Sequence, residues 1–103
     1  MNKLTQNQVE WLRDMLQRGE MTADQANVEK VRMARFVVVT KMDAGVRAAL
    51  NKAVKTGELA HKKRDGRKPE VYYHPSFEHL ANEERNRIEK QALEALLGVM
   101  AKG

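Results

Sequence analysis

The sequence predicts an α+β, mostly helical fold in which a helix runs directly into a β-hairpin and a long helix closes the chain. Three observations point to it. Val46, Leu50, Ala53 and Val54 recur at helical spacing and end at Gly57, a residue that tolerates the positive φ of a helix C-cap. Glu58 to Lys62 and Glu70 to His74 flank an Asp65-Gly66 dipeptide, a strong short-range signal for a hairpin turn. Beyond Pro75, the residues Ala81, Ile88, Ala92, Ala95 and Val99 line one face of a further helix.

Taken in order, Thr5 to Arg18 is the first helix. Thr5 and Gln8 fit a capping box, Val9, Leu12 and Leu16 share a face, and Gly19 ends the helix. Trp11 and Met15 sit at the edge of that face and close the core. Thr22 and Gln25 open a second helix with a weaker stripe of Ala23, Ala26, Val31 and Ala34. Phe36 to Val39 either continue that helix or form a short buried strand, and three consecutive valines favour the strand. Thr40 and Asp43 suggest a third capping box, which starts the next helix near Lys41 and carries it to about residue 56.

On that third helix Val46, Leu50, Ala53 and Val54 face inward. Lys41, Ala44, Ala48, Asn51, Lys52 and Lys55 face outward, with Arg47 on the flank. In the hairpin, about residues 58–74, Leu59, Val71, Tyr72 and Tyr73 supply the apolar content, and strand alternation turns one tyrosine to the core and the other to solvent. Pro69 cannot donate a ladder hydrogen bond and widens the loop. Ser76 caps the last helix. There Leu93, Leu97 and Met100 form a second apolar stripe, so the final turns are apolar nearly all round. A terminal helix on a small domain cannot bury both faces in its own core. A homodimer through Leu93, Leu97 and Met100 is the expectation; packing back across the first helix is the alternative.

A chain of 103 residues fits one domain. Residues 1–75 form its body and 76–103 the terminal helix. There is no cysteine, which removes disulfides, thiolate zinc sites and a cysteine nucleophile. Phe36-Val37-Val38-Val39 is the longest apolar run, far below the roughly 18–20 residues of a membrane span. The N-terminal MNKLTQNQVEW has no signal-peptide core. These features predict a cytoplasmic protein with no membrane association.

The net charge of +5 is unevenly placed. Residues 1–40 carry six Lys/Arg against five Asp/Glu, residues 41–75 nine against four, and residues 76–103 four against five. All the excess positive charge therefore falls on the third helix and the hairpin, as an electrostatic footprint for phosphates requires. A solvated hairpin tip that discourages edge-to-edge aggregation would show the same charge run on its own.

The stretch VRAALNKAVKTGEL, followed by a charged Asp-Gly turn and VYYHP, resembles the second half of winged helix-turn-helix DNA-binding domains. The resemblance covers about a third of the chain and lies in the pattern of elements. It implies a recognition helix in the major groove and a wing along the backbone or minor groove. Lys41, Arg47, Asn51, Lys52 and Lys55 would then face the major groove, where Asn reads an adenine edge and Lys or Arg reaches guanine or phosphate. Lys62, Lys63, Arg64, Arg67 and Lys68 would hold the backbone or minor groove from the wing. Winged-helix domains usually place their first strand after the first helix, and the Phe36–Val39 segment departs from that pattern.

No catalytic constellation is evident. His61, His74 and His79 match no zinc-ligand spacing. Ser76 is the only serine, and Glu83, Glu84 and Glu89 alternate with Arg85, Arg87 and Lys90 at helical pairing distance. The expectation is a sequence-preferring duplex-DNA-binding protein, a small transcriptional regulator, with no enzyme activity and no cofactor. The alternative is a winged-helix protein-interaction module, such as a small phage or bacterial accessory protein docking on a host enzyme through the terminal helix. RNA binding ranks third, since no aromatic stacking platform is evident.

Overall fold

A computed structural model of the chain describes residues 4–102, with side chains as far as residue 98. The element order is α1 (Gln6–Gln17), α2 (Ala23–Ala34), β1 (Phe36–Val38), α3 (Ala44–Thr56), β2 (Ala60–Lys62), β3 (Val71–Tyr73), a 3-10 turn (Pro75–Phe77) and α4 (Glu78–Lys102). The fold is α+β, with four helices and one three-stranded antiparallel sheet among the described residues.

Two of the helix starts follow directly from sequence. Thr5 Oγ1 accepts the Gln8 amide at 3.2 Å while Gln8 Oε1 accepts the Thr5 amide at 2.9 Å. Thr22 and Gln25 repeat the exchange at 3.1 and 3.0 Å. Each box satisfies two amide donors that a helix N-terminus otherwise leaves open. α1 packs against α2, and Leu12 is its one fully buried side chain. Trp11 does not close the core but is 43% exposed, and Leu16, expected inside, is 40% exposed. Packed chiefly on α2, α1 buries only a narrow stripe.

Arg35 ends α2 with φ 73°, the one positive φ at a non-glycine residue among those described. That turn decides the Phe36–Val39 alternative in favour of a strand, because helical geometry cannot continue through it. At the other end of β1, the Val39 amide donates to Glu70 O at 2.9 Å. Pairing therefore holds the chain extended past Val38, and the expected capping box from Thr40 does not form. Asp43 caps α3 instead, accepting the Gly45 amide at 2.8 Å. Lys41 consequently lies on the connecting loop and not on the helix. Gly57, at φ 87°, closes α3 in the left-handed conformation. The Leu59 amide then bonds back to Ala53 O at 3.2 Å, and the chain reverses into β2.

β3 is the central strand, in the order β1-β3-β2. Phe36 pairs with Tyr73 and Val38 with Val71 on one side; Ala60 pairs with Tyr73 and Lys62 with Val71 on the other. The sheet is covered on both faces. Tyr72 joins Val31 of α2, Leu50 and Ala53 of α3, and Leu59 on the first. Phe36, Val38, Val71 and Tyr73 join Ala81 of α4 on the second, with Leu80 and Ile88 packed alongside. Both tyrosines are therefore buried, contrary to the expectation of one in and one out. Alternation does send them to opposite faces, but α4 covers the face that would otherwise meet water. Tyr72, Leu50, Leu59 and Val71 are the largest fully buried side chains, and each apolar side chain of this size stabilises by roughly 1.5–3 kcal/mol.

Ser76 does not cap α4. Its amide donates to His74 Nδ1 at 3.2 Å, which caps the intervening 3-10 turn, and α4 begins two residues later at Glu78. A 25-residue helix is about 38 Å long, more than the sheet can cover. The molecule accordingly measures 56 × 29 × 25 Å. Beyond Ile88 the helix leaves Leu93, Leu96 and Leu97 at 40%, 46% and 62% exposure. The side chains of Val99 and Met100 lie outside the described residues. No helix among the described residues is long and apolar enough to cross a membrane.

Candidate nucleic-acid interface

The reversal at Gly57 makes α3 and β2 run in opposite directions, so the N-terminal half of α3 lies beside the far end of the hairpin. A polar cluster joins them. Arg47 Nη1 and Nη2 donate to Glu70 Oε2 and Oε1 at 2.9 and 3.0 Å, and His61 Nε2 lies 2.7 Å from Glu70 Oε2. The His61 ring stacks on Tyr72 at 4.3 Å between centroids and 24° between planes. The Tyr72 hydroxyl, in turn, donates to Asn51 Oδ1. The Arg47 hydrogen bonds, opposed by burial and aided by His61, hold the Glu70 carboxyl down at about 2. Burial pushes the Tyr72 hydroxyl up.

Two of the α3 residues expected to touch DNA thus have internal partners. Arg47 is half-buried against Glu70, and Asn51, though on the exposed face of α3, has its carbonyl oxygen engaged by Tyr72. Lys52 and Lys55 are exposed on the C-terminal half of α3, and Lys41 is exposed on the preceding loop. Lys52 also borders an open groove of about 550 Å³ between α2 and α3, whose walls include Glu20, Asp24, Glu29 and Glu58.

At the hairpin tip, the Asp65 amide donates to Lys68 O at 3.0 Å and the Lys68 amide to Asp65 O at 2.9 Å. The turn therefore centres on Gly66-Arg67, one residue later than the Asp65-Gly66 dipeptide suggests. Gly66 takes its first corner at φ 59°, where a side chain would be strained. Lys63, Arg64 and Arg67 are exposed and Lys68 is half-buried. Arg64 Nε donates to Gly66 O at 3.2 Å, which holds one guanidinium over the turn. Lys62 is placed differently. Its ammonium lies 3.3 Å from Glu78 of α4 and 5.9 Å from the Tyr73 ring centre, so it faces α4 and not the tip.

Four residues important here were not singled out from sequence. Glu70, His61 and Tyr72 build the cluster, and Arg85 donates from α4 to the Pro69 and Lys63 carbonyls at 2.9 and 2.8 Å. Partners separated by 9 to 23 positions leave no periodic trace, so no local signal marks them. Among the described residues no group of His, Asp or Glu could hold a metal ion. No protein family, curated protein or solved structure matches the chain.

Proposed function

We propose that the chain is a winged-helix protein that binds duplex DNA with sequence preference and acts as a small transcriptional regulator. One observation carries this reading: a hairpin tip bearing Lys63, Arg64, Arg67 and Lys68, with Asp65 its sole acidic residue, is fastened to α3 through Glu70. Exposed cations on a braced projection neutralise phosphates without first having to be ordered. The strand order and the hairpin following α3 suit a wing, although β1 follows the second helix and not the first. Lys52 and Lys55 extend the basic surface to α3, and Lys41 extends it to the loop before that helix. Asn51 keeps its amide donors for a base edge, and Arg47 sets the angle between helix and wing. The proposal includes no catalytic step and no cofactor.

Two copies pairing through α4 would present two such units to one duplex. The exposed Leu93, Leu96 and Leu97 favour pairing, and they equally favour a second reading in which this stripe docks on a different protein. Gel shifts with random duplex, single-stranded DNA and structured RNA at two salt concentrations test the primary reading. Duplex retention that weakens steeply with salt supports it; no duplex retention at low salt removes it.

A further inference from the structure

We infer that Arg85 is a positioning residue that holds the hairpin tip in place from α4. For its purpose the inference rests on the DNA-binding reading, while the bracket itself rests on backbone geometry. The Val39 amide bonds to Glu70 O, and the His74 amide bonds to Arg35 O at 3.0 Å. From residue 70 to residue 74, even-numbered positions thus turn toward β1 and odd-numbered ones toward β2. Pro69 is odd-numbered and has no N–H to give. The Cα pairing keeps one register from Lys62–Val71 to Asp65–Lys68, but the bonded pair at even-numbered Lys68 shows that the alternation shifts by one residue at Pro69. Yet no backbone hydrogen bond joins the two arms at residues 63, 64, 69 and 70, all of them among the described residues. The tip is therefore a tight turn on a stem that lacks the rung which alternation would place at residues 64 and 69.

Arg85 bridges the gap. It stands one helical turn beyond Ala81, which is fully buried against the sheet, and so projects from an anchored part of α4. Its Nε reaches Pro69 O on one arm and its Nη2 reaches Lys63 O on the other. A guanidinium is a rigid planar fork with charge-assisted donors, and here one fork spans both arms. Lys63 and Lys68 lie within one residue of the bracketed carbonyls, so the bracket fixes where the cations of the tip project.

The test combines a DNA-independent and a DNA-dependent measurement on the full chain. In the first, ¹⁵N heteronuclear NOEs at residues 64–68 are compared with those at Val71–Tyr73. The tip should be as ordered as the strand in the wild type and lose that order in both Arg85→Ala and Arg85→Lys, with helicity unchanged by circular dichroism. In the second, both variants should weaken duplex binding about tenfold. In a background lacking Lys63, Arg64, Arg67 and Lys68, Arg85→Ala should add less than about a twofold further loss, because residues acting through one another are non-additive. An ordered tip in Arg85→Ala overturns the bracket. Wild-type affinity in Arg85→Lys, with an Arg85→Ala loss that adds fully to the tip losses, makes Arg85 an ordinary phosphate ligand and also overturns it. A wild type that binds no duplex removes the DNA reading and leaves the NOE comparison to decide the bracket.

Discussion

Arg47 and Glu70 meet in a two-bond fork, Nη1 to Oε2 at 2.9 Å and Nη2 to Oε1 at 3.0 Å, across 23 positions of sequence. The pair ties the first turns of α3 to the root of the hairpin tip, with the carboxylate side 19% exposed. Paired charge-assisted bonds fix orientation as well as distance. A free Arg47 would add one cation to the basic surface; a paired Arg47 fixes the angle between the two elements that carry the rest.

Acid should unlock that pair. The Glu70 carboxyl titrates near 4.5 when unpaired and at about 2 in the fold. Its stabilisation is therefore fully present above about pH 4.5 and is lost as pH falls toward 2, by roughly 3 kcal/mol at most. Urea unfolding at pH 6, 4 and 3 should show the loss in the wild type. Glu70→Gln should be less stable at pH 6 and should lose less between pH 6 and 3. Parallel curves for the two proteins would mean that the pair contributes nothing to folding.

Asn51 has two separable roles. Removing its side chain leaves the buried Tyr72 hydroxyl without its acceptor, which costs about 1–3 kcal/mol of stability. Under the DNA-binding reading, it also removes a base contact worth roughly 1–3 kcal/mol of discrimination. Tyr72→Phe separates the two, since it frees Asn51 without deleting it. Asn51→Ala should lower both the urea midpoint and the ratio of specific to random-duplex affinity, whereas Tyr72→Phe should leave non-specific affinity unchanged. If Asn51→Ala lowers the midpoint alone, Asn51 is only a hydrogen-bond acceptor for Tyr72.

Much of the fold was legible because it is locally encoded. The Thr5/Gln8 and Thr22/Gln25 boxes, the Gly57 cap and the inward face of α3 each depend on residues within one or two turns of each other. Three of the misreadings share a non-local cause. Thr40 failed as a cap because Val39 is held by Glu70, thirty-one positions away. Tyr73 is buried because α4 folds back over the sheet. Lys62 left the tip because Glu78 lies beneath it. The cations of the candidate site could be found by composition, but which of them are engaged depends on partners that only the tertiary fold supplies.

Those engagements alter the expected salt dependence. If duplex binding releases counterions from the phosphates nearest the tip, replacing Lys63, Arg64, Arg67 and Lys68 with Ala should flatten the log–log plot. The slope should fall by about 0.9 for each phosphate that is no longer neutralised. Lys62→Ala should leave the slope nearly unchanged, because its ammonium already faces Glu78. Fluorescence anisotropy across roughly 50 to 200 mM salt measures both. A Lys62→Ala slope as shallow as that of a single tip substitution would show that the Glu78 pair opens on binding and that Lys62 belongs to the DNA-facing surface.

The stripe on α4 decides between the two readings of partnership. Leu93, Leu96 and Leu97 lie beyond Ile88, which packs against the sheet cluster. Leu96 extends the stripe expected from sequence, standing three residues after Leu93 and next to Leu97. Because all three are exposed, Leu93→Glu/Leu97→Glu should leave the fold intact, with unchanged helicity and an unchanged urea midpoint. Covering a leucine contributes roughly 1.5–3 kcal/mol, so six of them across a two-fold axis suffice to drive self-association. Light scattering at tens of micromolar should give a dimer for the wild type and a monomer for the variant, and the variant should bind a two-half-site duplex more weakly. A wild type already monomeric at that concentration removes the homodimer and gives the stripe to a different protein. A variant that unfolds would place these leucines in the intramolecular core, against the exposure that each of them shows.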